Sequence, residues 1–125
     1  MKRWTLLKHE SINNKIFDVH YDFLLENGED CKTWKLLLFP EIDGPSVEIF
    51  EHSNHRLIWL TIKSKLLSNN RGYVQRVDNG TFKPLGACID SNNFSIILNG
   101  KFIKGLFKKE ANSCKLVSLN KWINE

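Results

Sequence analysis

The sequence lacks the marks of several protein classes. Its three cysteines, Cys31, Cys88 and Cys114, are odd in number and far apart, with no Cys-x-x-Cys pair, which argues against a disulfide framework and against a structural zinc ribbon. No apolar leader follows Met1, and the longest apolar run, Leu36-Leu37-Leu38-Phe39, is far short of the ~18 residues of a membrane span. A cytoplasmic protein with no membrane partner is the expectation. No stretch rich in proline, glycine or serine interrupts the 125 residues, and no repeat or low-complexity tract is present, so residues 1–125 read as one domain.

What is present suits a folded unit. Hydrophobic residues make up 42% of the chain and charged residues 26%, enough apolar material for a core and too little charge for a disordered tail. The net charge of +4 conceals a division. Residues 1–62 carry 7 Lys/Arg against 10 Asp/Glu, whereas residues 63–125 carry 11 against 4. All four histidines, His9, His20, His52 and His55, lie in the acidic half. Histidines among carboxylates at one end and excess cations at the other suit a metal site beside a polyanion surface, although a solvated surface with uneven charge has the same composition.

Short alternating runs recur between turn signals, at the spacing of a barrel or sandwich. Strands are predicted near 3–9, 16–26, 32–38, 46–50, 56–62, 71–78, 81–85, 93–98, 101–108 and 114–119. Asp78-Asn79-Gly80-Thr81 and Leu98-Asn99-Gly100-Lys101 each set Asn-Gly between β-type flanks, which predicts two tight antiparallel hairpins. Only 57–68 and 119–124 have any helical character. The expected fold is mainly β, a single compact antiparallel β-barrel with at most one or two short helices, its core lined by Val19, Tyr21, Phe23, Leu25, Trp34, Leu36, Ile58 and Leu60.

Chemistry concentrates in Asp18-Val19-His20-Tyr21-Asp22-Phe23-Leu24-Leu25-Glu26. Alternation sends Val19, Tyr21, Phe23 and Leu25 to one face and Asp18, His20, Asp22, Leu24 and Glu26 to the other. His20 and Asp22, ~6.6 Å apart at the backbone, can converge on one cation, whereas Glu26 lies ~13 Å beyond Asp22 and cannot join them. His9 supplies a third ligand if its strand pairs with this one. On pattern alone the same face also reads as the wet side of an antiparallel strand. A second polar cluster, Glu51-His52-Ser53-Asn54-His55-Arg56, reads either as an exposed loop or as a phosphate site with His55 as proton donor. Arg71 and Arg76, five residues apart, cannot both serve one phosphate from a regular strand. The cations of the second half, among them Lys63, Lys65, Arg71, Arg76, Lys101, Lys104, Lys108 and Lys109, predict affinity for nucleic acid that falls with salt.

The order of these motifs is similar to a known domain. His9, then His20-Tyr21-Asp22-Phe23-x-Leu25-Glu26, Lys32-Thr33-Trp34, a histidine after a Val-Glu strand, Val77-Asp78-x-Gly80-Thr81 and Leu98-x-Gly100-Lys101 together resemble the 3′-phosphoesterase domain of bacterial DNA ligase D, from about Trp4 to Leu119. The resemblance implies a β-barrel that removes a 3′-terminal ribonucleotide and then the 3′-phosphate from DNA or RNA/DNA ends with a divalent metal, most often manganese, zinc being the other ion these ligands suit. It implies His9, His20 and Asp22 as metal ligands, His55 as the histidine that works on the phosphate with His52 as the alternative match, and Arg56 as a neighbouring cation. A monomer working with a DNA ligase or polymerase completes the expectation. Leu24 stands where ligase-linked members carry a phosphate-clamping arginine, and Trp59 stands where they carry a tyrosine. Catalysis weaker than theirs is therefore expected, as is a gain in activity from Leu24→Arg if that side chain reaches the site.

Overall fold

The computed structural model describes every residue except Asn14, Asn70, Ala87 and Glu125. Strands β1 (Lys2–Asn13), β2 (Ile16–Asn27), β3 (Asp30–Leu36), β4 (Val47–Glu48), β5 (Phe50–Arg56), β6 (Ser64–Leu67), β7 (Gly72–Leu85), β8 (Asn93–Gly100), β9 (Lys104–Glu110) and β10 (Ser113–Val117) precede one short helix, α1 (Leu119–Ile123). The fold is mostly β, and the strands pair antiparallel in a single sheet ordered β4-β10-β9-β8-β7-β1-β2-β3-β5, with β6 added on β7. No described helix is long and apolar enough to cross a membrane.

The sheet is not a closed barrel. Its two ends, β4 and β5, are separated in the chain by Ile49 alone, so the sheet bends round until its ends meet at one residue, with no ladder sealing them. Ile49 is buried there and its N–H donates to the Asn112 carbonyl at 3.0 Å. The inner face holds the main core, in which Phe23 meets Trp4 (5.9 Å between ring centroids), Phe39 (5.6 Å) and Phe107 (4.8 Å). On the other face of β1 and β2 a second cluster forms from Leu7, Leu24, Cys31, Leu60 and Val74, with Leu57, Trp59 and Leu67 packed against it. Both faces of β2 are consequently covered at Asp22–Leu25.

Several expectations are corrected. Segment 56–62 is no strand. Leu57–Thr61 is a 3₁₀ turn, whose i, i+3 eclipse carries Leu57 and Leu60 together onto the second cluster and leaves Ile58 55% exposed. Ile58 therefore drops out of the core, while Val19 and Tyr21 are only half-buried. The polar cluster at 51–56 lies within β5 rather than in a loop, paired on one side with β3. A sheet edge accepts such charged and polar side chains readily.

The first Asn-Gly signal misleads as well. Asn79 and Gly80 lie inside β7, where Gly80 opposes Trp4 on β1 and Gly100 on β8. A Cβ on Gly80 would collide with the Asn99 carbonyl, so the glycine answers a close approach of backbones instead of a turn. Asn99-Gly100 does begin a hairpin, but its last pair is Asn99↔Lys104, which leaves a loop over 100–103 longer than a two-residue turn. Asp78 organises that loop. Its buried carboxylate accepts the backbone N–H groups of Asn79 (2.8 Å), Lys101 (3.0 Å), Phe102 (3.0 Å) and Ile103 (2.7 Å). Hydrogen bonds to a charged acceptor are worth more than neutral ones, and part of their loss is recovered by hydration of the freed loop. Asp78→Ala should therefore lower stability by about 2 kcal/mol, read as an earlier urea midpoint at unchanged slope.

Candidate metal centre

The β1–β2 register sets His9 directly opposite His20, and strand alternation sets Asp22 two residues on from His20 along the same face. The two imidazoles meet edge to face, 4.7 Å between centroids. His9, His20 and Asp22 each offer one ligand atom, and these atoms lie within 4.8 Å of one another. Ligands sharing an ion at about 2.0–2.2 Å stand roughly 3–4 Å apart, so small side-chain rotations complete the set. This group can hold a metal ion. Nor is this part of the face the wet side of a strand: His20 is 8% exposed and Asp22 6%, where the 3₁₀ turn packs against β1 and β2.

The partners of these side chains fix which atoms remain free. Nε2 of His9 lies 2.7 Å from the Arg71 carbonyl oxygen. A carbonyl only accepts, so Nε2 carries a proton, and in the neutral imidazole Nδ1 keeps the lone pair. Nδ1 of His20 lies 3.3 Å from Asp18 Oδ2 and Nε2 lies 3.3 Å from Asp22 Oδ1. With Nδ1–H donating to Asp18, Nε2 of a neutral His20 turns a lone pair toward the Asp22 carboxylate. That second contact is close without being a directed hydrogen bond, and Asp22 Oδ1 is buried with no hydrogen-bond partner among the described residues. Two electron-rich atoms facing each other out of solvent call for a cation between them, either a proton or a metal.

The titration of the pair follows from that geometry. The Asp22 side chain raises the His20 pKa above the ordinary histidine value, against burial, which lowers it. Burial works to raise the Asp22 pKa, but His20, aided by the charges of His55 and His9, outweighs it and holds the carboxyl below its ordinary value. Asp18 and the Arg71 carbonyl act as outer partners that orient the two imidazoles, a usual arrangement around metal-binding histidines. Sequence reasoning assigned neither role. For Asp18 the signal was present, since it stands two residues before His20 on the same face, whereas a backbone carbonyl leaves no trace in residue identity.

The triad lines a cleft of about 970 Å³ whose walls also include His52, His55, Arg56, Trp59, Lys65 and Arg71. Of the two histidines of β5, His52 is exposed and His55 half-buried. Nδ1 of His55 donates to the Ser53 carbonyl at 3.1 Å, which leaves Nε2 without a partner among the described residues, and its ring stands edge-on to Trp59, 5.8 Å between centroids. Arg56 and Lys65 are exposed on the walls. Arg71 donates from its guanidinium to Ser68, to the carbonyl and to Oγ, both at 3.1 Å. Lys63 and Arg76 are not among the residues lining the cleft, and they meet through the backbone, Arg76 N–H donating to the Lys63 carbonyl at 2.8 Å. Lys109, by contrast, is no surface cation. It is buried, with Nζ donating to the carbonyls of Asn92 (2.9 Å) and Ala111 (2.7 Å), and burial lowers its pKa.

No family model and no curated protein matches the chain.

Proposed function

We propose that the protein is a divalent-metal-dependent phosphoesterase acting on 3′ ends of DNA or of mixed RNA/DNA strands. The observation that carries this reading is the cluster of half-buried His9 with buried His20 and Asp22 at a cleft whose walls bear Arg56, Lys65 and Arg71. Ligands for a cation sit beside cations for a phosphate chain. The motif order resembling the 3′-phosphoesterase domain of bacterial DNA ligase D supports the same reading. Two imidazoles and one carboxylate on a single sheet face leave open coordination positions and suit manganese, with zinc as the alternative.

The bound ion would supply Lewis-acid polarisation of a phosphoryl oxygen and a nucleophile at neutral pH. His9, His20 and Asp22 hold it, with the Arg71 carbonyl and Asp18 keeping both imidazoles in register. Arg56 and Lys65 draw the phosphate chain into the cleft. His55, with Nε2 free, exchanges a proton with the leaving or attacking oxygen. The product is a 3′-hydroxyl that a DNA ligase or polymerase can use.

Phosphate release from a 3′-phosphorylated oligonucleotide in Mn²⁺ tests this directly. Release above the Asp22→Ala background is expected, and His55→Ala should slow it by about a hundredfold while leaving Mn²⁺ binding intact. A specific observation favours a second reading, a nucleic-acid-binding module without turnover: the position that would carry a clamping arginine is Leu24, sealed in apolar surroundings. Salt-sensitive oligonucleotide binding with no phosphate released would establish that reading instead.

A further inference from the structure

The chain has four tryptophans, and their placement differs sharply. Trp4 and Trp34 are buried in the main core, and Trp122 lies on α1. Trp59 is half-buried in the cleft wall. The 3₁₀ turn holds it there, with Leu60 anchored in the second cluster beside it. Lys65 Nζ stands 5.5 Å from the indole centroid. That ammonium has no carboxylate within ion-pair distance among the described residues, so only a cation–π contact of exposed strength keeps it over the ring. His55 stands edge-on to the indole, 5.8 Å between ring centroids, and both side chains line the cleft that holds His9, His20 and Asp22.

We propose that Trp59 is a stacking platform for the terminal nucleobase of a nucleic-acid 3′ end. An arriving phosphate draws Lys65 off the indole, and the base takes its place on the ring. Every nucleobase presents a π-face, so such a platform is tolerant of sequence. It does, however, require a base that is free of its duplex partner. The cleft thereby selects unpaired or frayed ends over blunt, fully stacked ones. This inference rests on the nucleic-acid reading above and adds what part of the substrate, besides the phosphate, the site engages.

The test compares two single-stranded 3′-phosphorylated oligonucleotides, identical except that one ends in an abasic residue, bound without added metal so that no turnover intervenes. The base-bearing strand should bind wild-type protein about tenfold more tightly, the scale of one base stacked on an aromatic side chain. It alone should quench indole fluorescence. Trp59 also packs on the second cluster, so the disruptive variant is Trp59→Leu, which fills volume without an aromatic face and should bring the affinity ratio close to one. Trp59→Phe should restore most of the ratio. Equal binding of the two strands by wild type, or a ratio unchanged in Trp59→Leu, overturns the platform and leaves the phosphoesterase reading standing. Failure of both strands to bind at low salt removes the nucleic-acid reading and the platform with it.

Discussion

Leu24→Arg should destabilise the protein by about 3–5 kcal/mol, the cost of leaving a buried charge without a partner. The resemblance to the 3′-phosphoesterase domain implies a phosphate-clamping arginine at position 24, and strand alternation places that position on the same face as His20 and Asp22. What lies over that face works against such a clamp. Leu24 is fully buried against Leu7, Cys31, Leu60 and Val74, and its cross-strand neighbours Thr5 and Thr33 are equally inaccessible. The polarity of this cluster is low enough that burial pushes the Cys31 thiol up to about 11. A guanidinium would enter apolar surroundings in which the carboxylates two residues away on the same face, Asp22 and Glu26, already face His20 and Arg3, and small domains have only about 5–15 kcal/mol of stability in all. Urea denaturation should show an early midpoint, whereas Leu24→Met, which conserves volume, should cost under about 1.5 kcal/mol. A Leu24→Arg protein as stable as wild type and faster in phosphate release would show instead that the side chain escapes into the cleft.

The legible and illegible parts of this fold divide by the range of the interaction. Alternation along 18–26 was enough to put His20 and Asp22 on one face, because period two is a property of the strand alone. The pairing that brings His9 opposite His20 required the β1–β2 register, which the sequence permitted without dictating. Burial of the pair depended on a third segment, since Leu57 and Leu60 fold back over the sheet only in a 3₁₀ turn, and a short apolar run looks the same as a strand. Asn79-Gly80 carries the residues of a hairpin, yet Asp78 spends its carboxylate on the neighbouring loop and Gly80 on a backbone contact. A barrel, closed or nearly closed, is the natural expectation for many short strands. Whether the last edges pair is decided by a few residues around Ile49, and no periodic pattern reports that.

Removing the carboxylate at the centre of the cluster should have the larger functional consequence. Asp22→Ala takes away one of the three groups that could hold an ion, and Mn²⁺ affinity should fall by more than a hundredfold, since losing even an outer partner of a metal ligand costs 10–100-fold. The loss is readable without any activity. A metal that binds only the folded state stabilises it by about 2.7 kcal/mol at a hundred times its dissociation constant. For a domain of this size that is roughly a 10 °C rise in Tm, present in wild type and absent in Asp22→Ala. The pH dependence supplies a sign that distinguishes metal from proton. His20 is raised and Asp22 lowered. The stability contributed by His20 is complete below its unfolded pKa and is lost as pH rises through the raised folded value. The stability contributed by Asp22 is complete above its unfolded pKa and is lost as pH falls through the lowered one. The metal-free pair therefore favours the fold most in mildly acidic solution, where a proton fills the gap between Nε2 and Oδ1. Metal binding needs that proton gone, so the Mn²⁺-induced rise in Tm should grow from acidic toward mildly alkaline pH. Asp22→Asn should abolish both the rise and its pH dependence, because an amide keeps the shape of the side chain but neither its charge nor its hold on the His20 proton. A Tm that rises equally with Mn²⁺ in wild type and Asp22→Asn would place the ion elsewhere on the protein.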